Sequence, residues 1–118
     1  MEGVLSRYQE AWQWIERNPG TSSASGLVKL ILSLWNQSNA FSLRECIDNL
    51  DGERAQLALR VAIHFANYGE DRELVEIGYK ARERYPRLWE LGQTAWNAKC
   101  ALQERWRIED ARVEQSGG

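Results

Sequence analysis

Apolar residues recur along most of the chain at spacings of three and four residues, which is the period of an amphipathic helix. The first such segment has an apolar face formed by Val4, Leu5, Tyr8, Ala11, Trp12 and Ile15. The turn residues 18–20, which include Pro19 and Gly20, are predicted to end this helix. The small polar residues 21–26 are predicted to form a linker. A second helix is predicted after it, with Leu27, Val28, Ile31, Leu34 and Trp35 on one face.

Ser42 and Glu45 stand three residues apart, which is the spacing of a capping box. In that motif each of the two side chains accepts a hydrogen bond from the other residue's backbone N–H. The pattern predicts a short helix from Leu43 to about Asn49.

A longer helix is predicted over residues 52–68, with Asp51 as its N-cap and Gly69 as the residue that ends it. Its residues are apolar nearly all round, apart from a polar stripe that contains Arg60 and His64. A helix of this kind is typically surrounded by other helices, so we expect it at the centre of the fold.

A fifth helix is predicted to begin at Asp71 and to stop before Pro86, and a last one to run from about Arg87 toward Glu114. The apolar arc of the last helix comprises Leu88, Leu91, Gly92, Ala95, Ala98, Leu102 and Trp106. Gly78 and Gly92 lie inside helices, where glycine is unfavourable, so we expect them to mark close approach between helices. The pattern predicts an all-α chain, a compact bundle of about six helices in one domain over residues 1–115, with a frayed tail at 116–118.

Composition narrows the class of protein. The chain has 118 residues, of which 43% are hydrophobic and 27% charged, with a net charge of -2, and these values are typical of one soluble domain. No apolar run is long enough to cross a membrane, and the N-terminus lacks a secretory pattern, so a cytoplasmic protein is expected. Cys46 and Cys100 are predicted to be buried, reduced thiols.

Residues 55–88 carry several features of a repeated helix pair. Small residues stand at Ala58, Ala62 and Ala81, Phe65 is aromatic, 68–71 form a turn, and Pro86 ends the segment. In this pattern the segment resembles one degenerate unit of the tetratricopeptide repeat family, whose unit is a 34-residue helical hairpin. The resemblance implies a scaffold that binds proteins or peptides, and it implies no catalytic chemistry.

A second set of residues, 34–36, 41–43 and 50–51, resembles a family of small uncharacterised proteins from bacterial mobile elements. That resemblance implies a bacterial origin and a helical structure. It assigns no activity.

No set of residues predicts catalysis, a metal site or a cofactor. His64 is the only histidine, and its neighbours on the helix supply no acidic partner of the kind that a general base needs. Cys46, Cys100 and His64 fall on three separate helices without the spacing of zinc ligands. The chain is therefore predicted not to be an enzyme.

Six tryptophans in 118 residues are the most unusual feature of the composition. Trp12, Trp35 and Trp106 lie on predicted apolar faces and are expected in the core. Trp14 lies off its helix face. Trp89 and Trp96 form a stripe at the edge of the last helix, for which core flank and contact surface stay open as alternatives.

Lys99 stands near the stripe of Trp89 and Trp96, within the apolar arc of the last helix, where its ammonium can reach a partner's carboxylate. Trp14, Trp89, Trp96 and Lys99 are thus the candidate protein-interaction residues. The function predicted is that of a non-enzymatic interaction or adaptor protein, whose partner is an unknown protein or a second copy.

Two alternatives stay open. One is a small nucleic-acid-binding regulator, which would need a contiguous patch of Arg82, Arg84, Arg87 and Arg105. The other is an enzyme or small-ligand binder with a site near His64. Because the net charge is negative and only three lysines are present, a nucleic-acid partner is not expected.

Overall fold

A computed structural model of the chain describes residues 6–117, with side chains for residues 6–115. These residues form six α-helices and one 3-10 turn, and no strand is found among them. The bounds are α1 Arg7–Arg17, α2 Ser22–Trp35, the 3-10 turn Gln37–Asn39, α3 Leu43–Ile47, α4 Gly52–Tyr68, α5 Arg72–Arg84 and α6 Pro86–Gly117. The prediction of an all-α bundle of about six helices is confirmed. Val4 and Leu5, predicted on the first apolar face, and Gly118 in the predicted tail lie outside the described residues.

Helix caps stand where the sequence predicts them. The Ser42 hydroxyl accepts a hydrogen bond from the Glu45 N–H, and the Glu45 carboxylate accepts one from the Ser42 N–H, both at 3.1 Å. The Asp51 carboxylate likewise accepts the N–H of Arg54 at 2.8 Å. Gly69 ends α4 with a φ of 73°, in the left-handed region that favours glycine. The capping box and the ends of α4 are therefore confirmed.

The linker predicted at residues 21–26 is wrong, since α2 begins at Ser22. The Thr21 hydroxyl caps this helix by accepting the N–H of Ala24 at 3.1 Å. Gly26 is buried, and a Cβ added there would lie 2.6 Å from the carbonyl oxygen of Cys46. The small residues that predicted a flexible linker allow the end of α3 to approach α2 closely.

Helix α2, and not α4, is the centre of the bundle. It packs against α1, α3, α4 and α5, whereas α4 packs mainly on α1 and α2. The outer face of α4 therefore stays open, with Leu59 50% and Ile63 60% exposed. The prediction of a central α4 fails because the last helix does not fold back to cover that face.

Helix α6 is joined to the bundle through its first half, which contacts the 3-10 turn and α5. Its 32 residues contribute to a long axis of 66 Å, against 30 and 26 Å for the other two. The radius of gyration of 17.7 Å exceeds the value of about 13–14 Å that a compact chain of this length has. The distal half of α6 therefore projects beyond the bundle.

Asn39 fixes the start of α6. Its side chain is fully buried, and its Nδ2 donates a hydrogen bond to the Trp89 carbonyl oxygen at 2.8 Å. A Cβ on Gly92 would lie 2.6 Å from the Asn39 carbonyl oxygen, and a Cβ on Gly78 would overlap the ring of Trp35. The prediction that Gly78 and Gly92 mark close approach is therefore confirmed.

The two cysteines differ in environment. Cys46 is buried, and burial raises the pKa of its thiol above the usual value. Cys100 is exposed, so the prediction that both thiols are buried is wrong for Cys100. It lies near the middle of α6, on a side that no other helix covers.

Tyr8 ties α1 to the turn after α4. Its hydroxyl donates a hydrogen bond to the Gly69 carbonyl oxygen at 2.9 Å. Burial, together with the negative charges of Asp71 and Glu70, raises the pKa of this phenol from 10.0 to about 12. The folded protein holds the Tyr8 proton more tightly than the unfolded chain does. The contribution of this phenol to the free energy of unfolding is therefore present in full below about pH 10. It falls by about 1.4 kcal/mol per pH unit as the pH rises toward 12.

We expect Tyr8→Phe to remove this alkaline loss and to cost about 1 kcal/mol at neutral pH, since one buried hydrogen bond is lost. Urea unfolding of both proteins between pH 8 and 12, the range in which tyrosine titrates, measures the difference in their free energies of unfolding. Tyr79 is 60% exposed, so Tyr79→Phe is the control and should leave the alkaline loss in place. Equal pH dependence of wild type and Tyr8→Phe would contradict this role of Tyr8.

Candidate interaction surface

Exposed apolar side chains run along the outer side of α6. We call this surface the α6 stripe and define it as Leu91, Ala95, Ala98, Leu102, Trp106 and Val113. Leu91 is 54%, Trp106 51% and Val113 68% exposed, whereas Leu102 is half-buried. A helical turn of about 100° per residue places all six within about 80° of the circumference. They therefore share one face of the helix, on which the exposed Glu109 also lies, between Trp106 and Val113.

The position of Trp106 contradicts the prediction that it belongs to the core. It lies about twenty residues beyond the start of α6, which at about 1.5 Å per residue is roughly 30 Å along the axis. At that distance the helix has left the bundle, whose shorter axes measure 30 and 26 Å. Helical periodicity places Trp106 on the apolar face correctly, but no other helix reaches that face.

Trp89 lies on the flank of the core. Its ring centroid is 5.4 Å from that of Trp35, and the guanidinium of Arg82 lies 4.5 Å above it. Trp35 in turn contacts the exposed ring of Tyr79 at 4.9 Å. Trp89 therefore packs within an aromatic cluster between α2, α5 and α6.

Trp96 is half-buried two turns further along α6. The partly buried hydrophobic residues that pack on the core include Trp89 but not Trp96. Its indole is therefore placed at the boundary between the bundle and the projecting half of α6.

Lys99 is exposed on the same part of α6 and forms no ion pair within the described residues. The pKa of the Glu45 carboxyl is lowered, first by its hydrogen bonds with Ser42 and then, more weakly, by the charges of Lys29 and Lys99. Lys99 is thus close enough to α3 to act on Glu45 while its ammonium stays open to solvent.

Trp14 lies in a separate place, a groove of about 340 Å³ between α1 and α4. The guanidinium of Arg54 lies 4.7 Å from its ring centroid, and Arg17 and Arg60 line the same groove. Helix α1 packs on α2, α4 and α5, whereas α6 packs on α5 and the 3-10 turn. Trp14 therefore belongs to a different surface from Trp89, Trp96 and Lys99.

His64 is held between aromatic rings. Its centroid lies 4.9 Å from Tyr8, in an edge-to-face arrangement, and 4.9 Å from Tyr68. The shallow depression beside it is lined by Arg7, Arg60, Ile63, Asn67 and Tyr68 and contains no carboxylate. The residues that could orient a histidine for acid–base chemistry are not found at this depression. Within residues 6–117 no three or more His, Cys, Asp and Glu side chains are grouped as metal ligands would be.

Three of the four arginines that could form a basic patch have other contacts. Arg84 pairs with Glu16 at 3.0 Å, Arg105 approaches Glu109 at 3.8 Å, and Arg82 lies over Trp89. The carboxylates next to Arg84 and Arg105 reduce the positive potential that would attract phosphates. The structure thus adds no feature that favours nucleic-acid binding.

Two surfaces were missed by reasoning from the sequence: the distal part of the α6 stripe and the open face of α4. Trp106 and the apolar residues of the α4 face were assigned to the core, and Val113 was not part of the predicted apolar arc. The helices of the described chain include none that is both long and apolar enough to cross a membrane. No protein-family model, curated protein or solved structure matches the chain.

Proposed function

We propose that this chain is a non-enzymatic interaction protein that binds another polypeptide through the α6 stripe. The observation that carries the proposal is the exposure of Leu91, Trp106 and Val113 along a helix that projects from its own bundle. Exposed apolar surface of this kind, bordered by charged residues, is typical of protein contact sites.

The energetics of a lone helix support this proposal. A helix without tertiary contacts is only marginally stable in water at this length, since most helix stability comes from packing of an apolar face. Covering one large apolar side chain contributes about 1.5–3 kcal/mol, so a partner on Leu91, Trp106 and Val113 would stabilise the distal half substantially. Tryptophan also contributes disproportionately to binding at interfaces.

The proposal includes a cytoplasmic, bacterial setting. Both cysteines are free, which fits a reducing compartment. The bacterial origin rests on the resemblance of residues 34–36, 41–43 and 50–51 to proteins of mobile elements. The tetratricopeptide-like pattern of residues 55–88, which spans most of α4, all of α5 and the start of α6, supports a binding scaffold and no enzyme.

The proposal can be tested by affinity capture from the native host with three tagged forms of the full chain and an untagged copy co-expressed. They are the wild type, the α6 variant Leu102→Glu/Trp106→Glu, and the matched control Leu59→Glu/Ile63→Glu on the open face of α4. The α4 control carries the same number and type of changes on exposed apolar residues. Circular dichroism first establishes that all three are folded.

We expect the wild type and the α4 control to retain a common protein, and the α6 variant to lose it by about tenfold or more. That protein is another chain or the untagged copy. Three results would contradict the proposal: equal retention by the α6 variant, loss from the α4 control alone, or recovery of neither another protein nor the untagged copy.

A further inference from the structure

We infer that the partner on the α6 stripe is a second copy of this chain, bound so that the two α6 helices run antiparallel. The inference rests on the proposed function and names its partner. It follows from the pairing of charges beside the stripe and from the sizes of the side chains along it.

Most charges on the distal half of α6 are already paired within the helix. Glu104 pairs with Arg107 at 2.6 Å, and Arg105 approaches Glu109 at 3.8 Å. Asp110, like Lys99, has no ion pair within the described residues. Among these charges, Lys99 and Asp110 are thus a cation and an anion close to the stripe with which a partner could pair.

Lys99 and Asp110 lie on the same edge of the α6 stripe. Eleven residues separate them, which at about 100° per residue is close to three full turns, so they differ by only about 20° around the axis. In antiparallel helix pairs each edge faces the same edge of the partner. Two copies related by a two-fold axis near Glu104 therefore bring Lys99 of each opposite Asp110 of the other.

A parallel pair would not bring these two charges together. In parallel helix pairs each edge faces the opposite edge of the partner, so Lys99 and Asp110, which share one edge, would not meet. Complementary charges that meet across a helix pair select its orientation. The charge pattern therefore favours the antiparallel arrangement.

Side-chain size fits the same axis. A residue numbered i faces the residue numbered about 208 − i of the other copy, by the symmetry of the two-fold axis near Glu104. Leu102 then faces Trp106, and the small Ala95 faces Val113. The overlap spans residues 91–117, roughly 40 Å at about 1.5 Å per residue, and includes the whole stripe.

The open face of α4 is the less suitable site for the second copy. Arg60 at its edge already approaches Glu10 at 3.3 Å. Its large exposed side chains are Leu59 and Ile63, one turn apart. The α6 stripe is longer and has the unpaired charges that would orient a partner.

Sedimentation equilibrium of the purified full chain over an approximately 100-fold range of concentration tests the inference. The variants are Lys99→Glu, Asp110→Lys, the double exchange Lys99→Glu/Asp110→Lys, Trp106→Ala, and Ile63→Ala as control. We expect a concentration-dependent dimer for the wild type and for Ile63→Ala. Trp106→Ala and each single charge reversal should weaken dimerisation by about tenfold, and the double exchange should restore most of it.

Rescue by the double exchange reports on contact between copies, because Lys99 and Asp110 are roughly 16 Å apart within one helix. A chain that stays monomeric at every concentration would overturn the inference. So would a dimer lost only with Ile63→Ala, or one that the single charge reversals leave unchanged or strengthen. A monomer that still captures a host protein through α6 would overturn this inference and leave the proposed function standing.

Discussion

Replacing Gly78 with alanine is expected to lower the free energy of unfolding by about 2 kcal/mol, or roughly 8 °C in Tm. The added Cβ would lie 2.6 Å from the Cγ and Cε3 atoms of Trp35, well inside van der Waals contact. Trp35 cannot move aside freely, because its ring is packed between Tyr79 and Trp89. The cost of overpacking therefore exceeds the gain of about 1 kcal/mol that alanine brings to a helix interior.

Gly52→Ala is the matched control for Gly78→Ala. Gly52 is the first residue of α4, and a Cβ there meets no atom within 4 Å. The same substitution should leave stability unchanged or raise it by up to about 1 kcal/mol. Thermal unfolding followed by circular dichroism compares the two. If Gly78→Ala proves as stable as Gly52→Ala, the contact between α5 and Trp35 is not as described.

Asn39→Asp is expected to destabilise the protein more than Gly78→Ala does, by about 3 kcal/mol at neutral pH. Asn39 is fully buried, and its Nδ2 is the donor to the Trp89 carbonyl oxygen, while its Oδ1 has no hydrogen-bond partner within residues 6–115. A carboxylate would replace that donor with an acceptor, and it would place a negative charge against a carbonyl oxygen. Since the 3-10 turn is the main attachment of α6, the start of that helix should loosen.

Asn36→Asp makes the same chemical change three residues earlier. There the Asn36 Oδ1 accepts the N–H of Ser38 at 2.9 Å, which a carboxylate does equally well. Urea unfolding should place this control within about 0.5 kcal/mol of the wild type. Equal stability of Asn39→Asp and Asn36→Asp would show that the buried amide does not hold α6 in place.

Local signals in the sequence predicted the elements of the fold well. The capping box of Ser42 and Glu45 and the glycine after α4 act through neighbouring backbone atoms, so they can be read without knowing the rest of the structure. Residues 21–26 were misassigned because small polar residues are common both in linkers and where helices approach closely. The difference lies in the contact between Gly26 and Cys46, which is long-range.

The placement of apolar faces was less predictable. Periodicity shows which residues of a helix share a face, but not whether another helix covers it. It therefore assigned Trp106 and the outer face of α4 to the core, and both are exposed. One signal was present: a last helix of about 28 residues is roughly 42 Å long, more than the width of a bundle of this size. Its distal half had to extend beyond the other helices.

The structure places the four candidate interaction residues in different environments. Trp89 packs in the aromatic cluster with Trp35, and Trp96 and Lys99 lie where the α6 stripe leaves the bundle. Trp14 faces a separate groove with Arg54. The sequence identified the right helix for a contact surface, and the exposure of individual side chains depended on tertiary packing that the sequence pattern does not encode.

Amide hydrogen exchange along α6, measured on the purified chain at a dilute and a concentrated sample, tests the central claim most directly. If a second copy covers the α6 stripe, exchange over residues 98–113 should slow by about tenfold or more on concentration. Exchange in the buried helix α2 should stay the same in both samples. Rates over residues 98–113 that do not change with concentration would contradict the account.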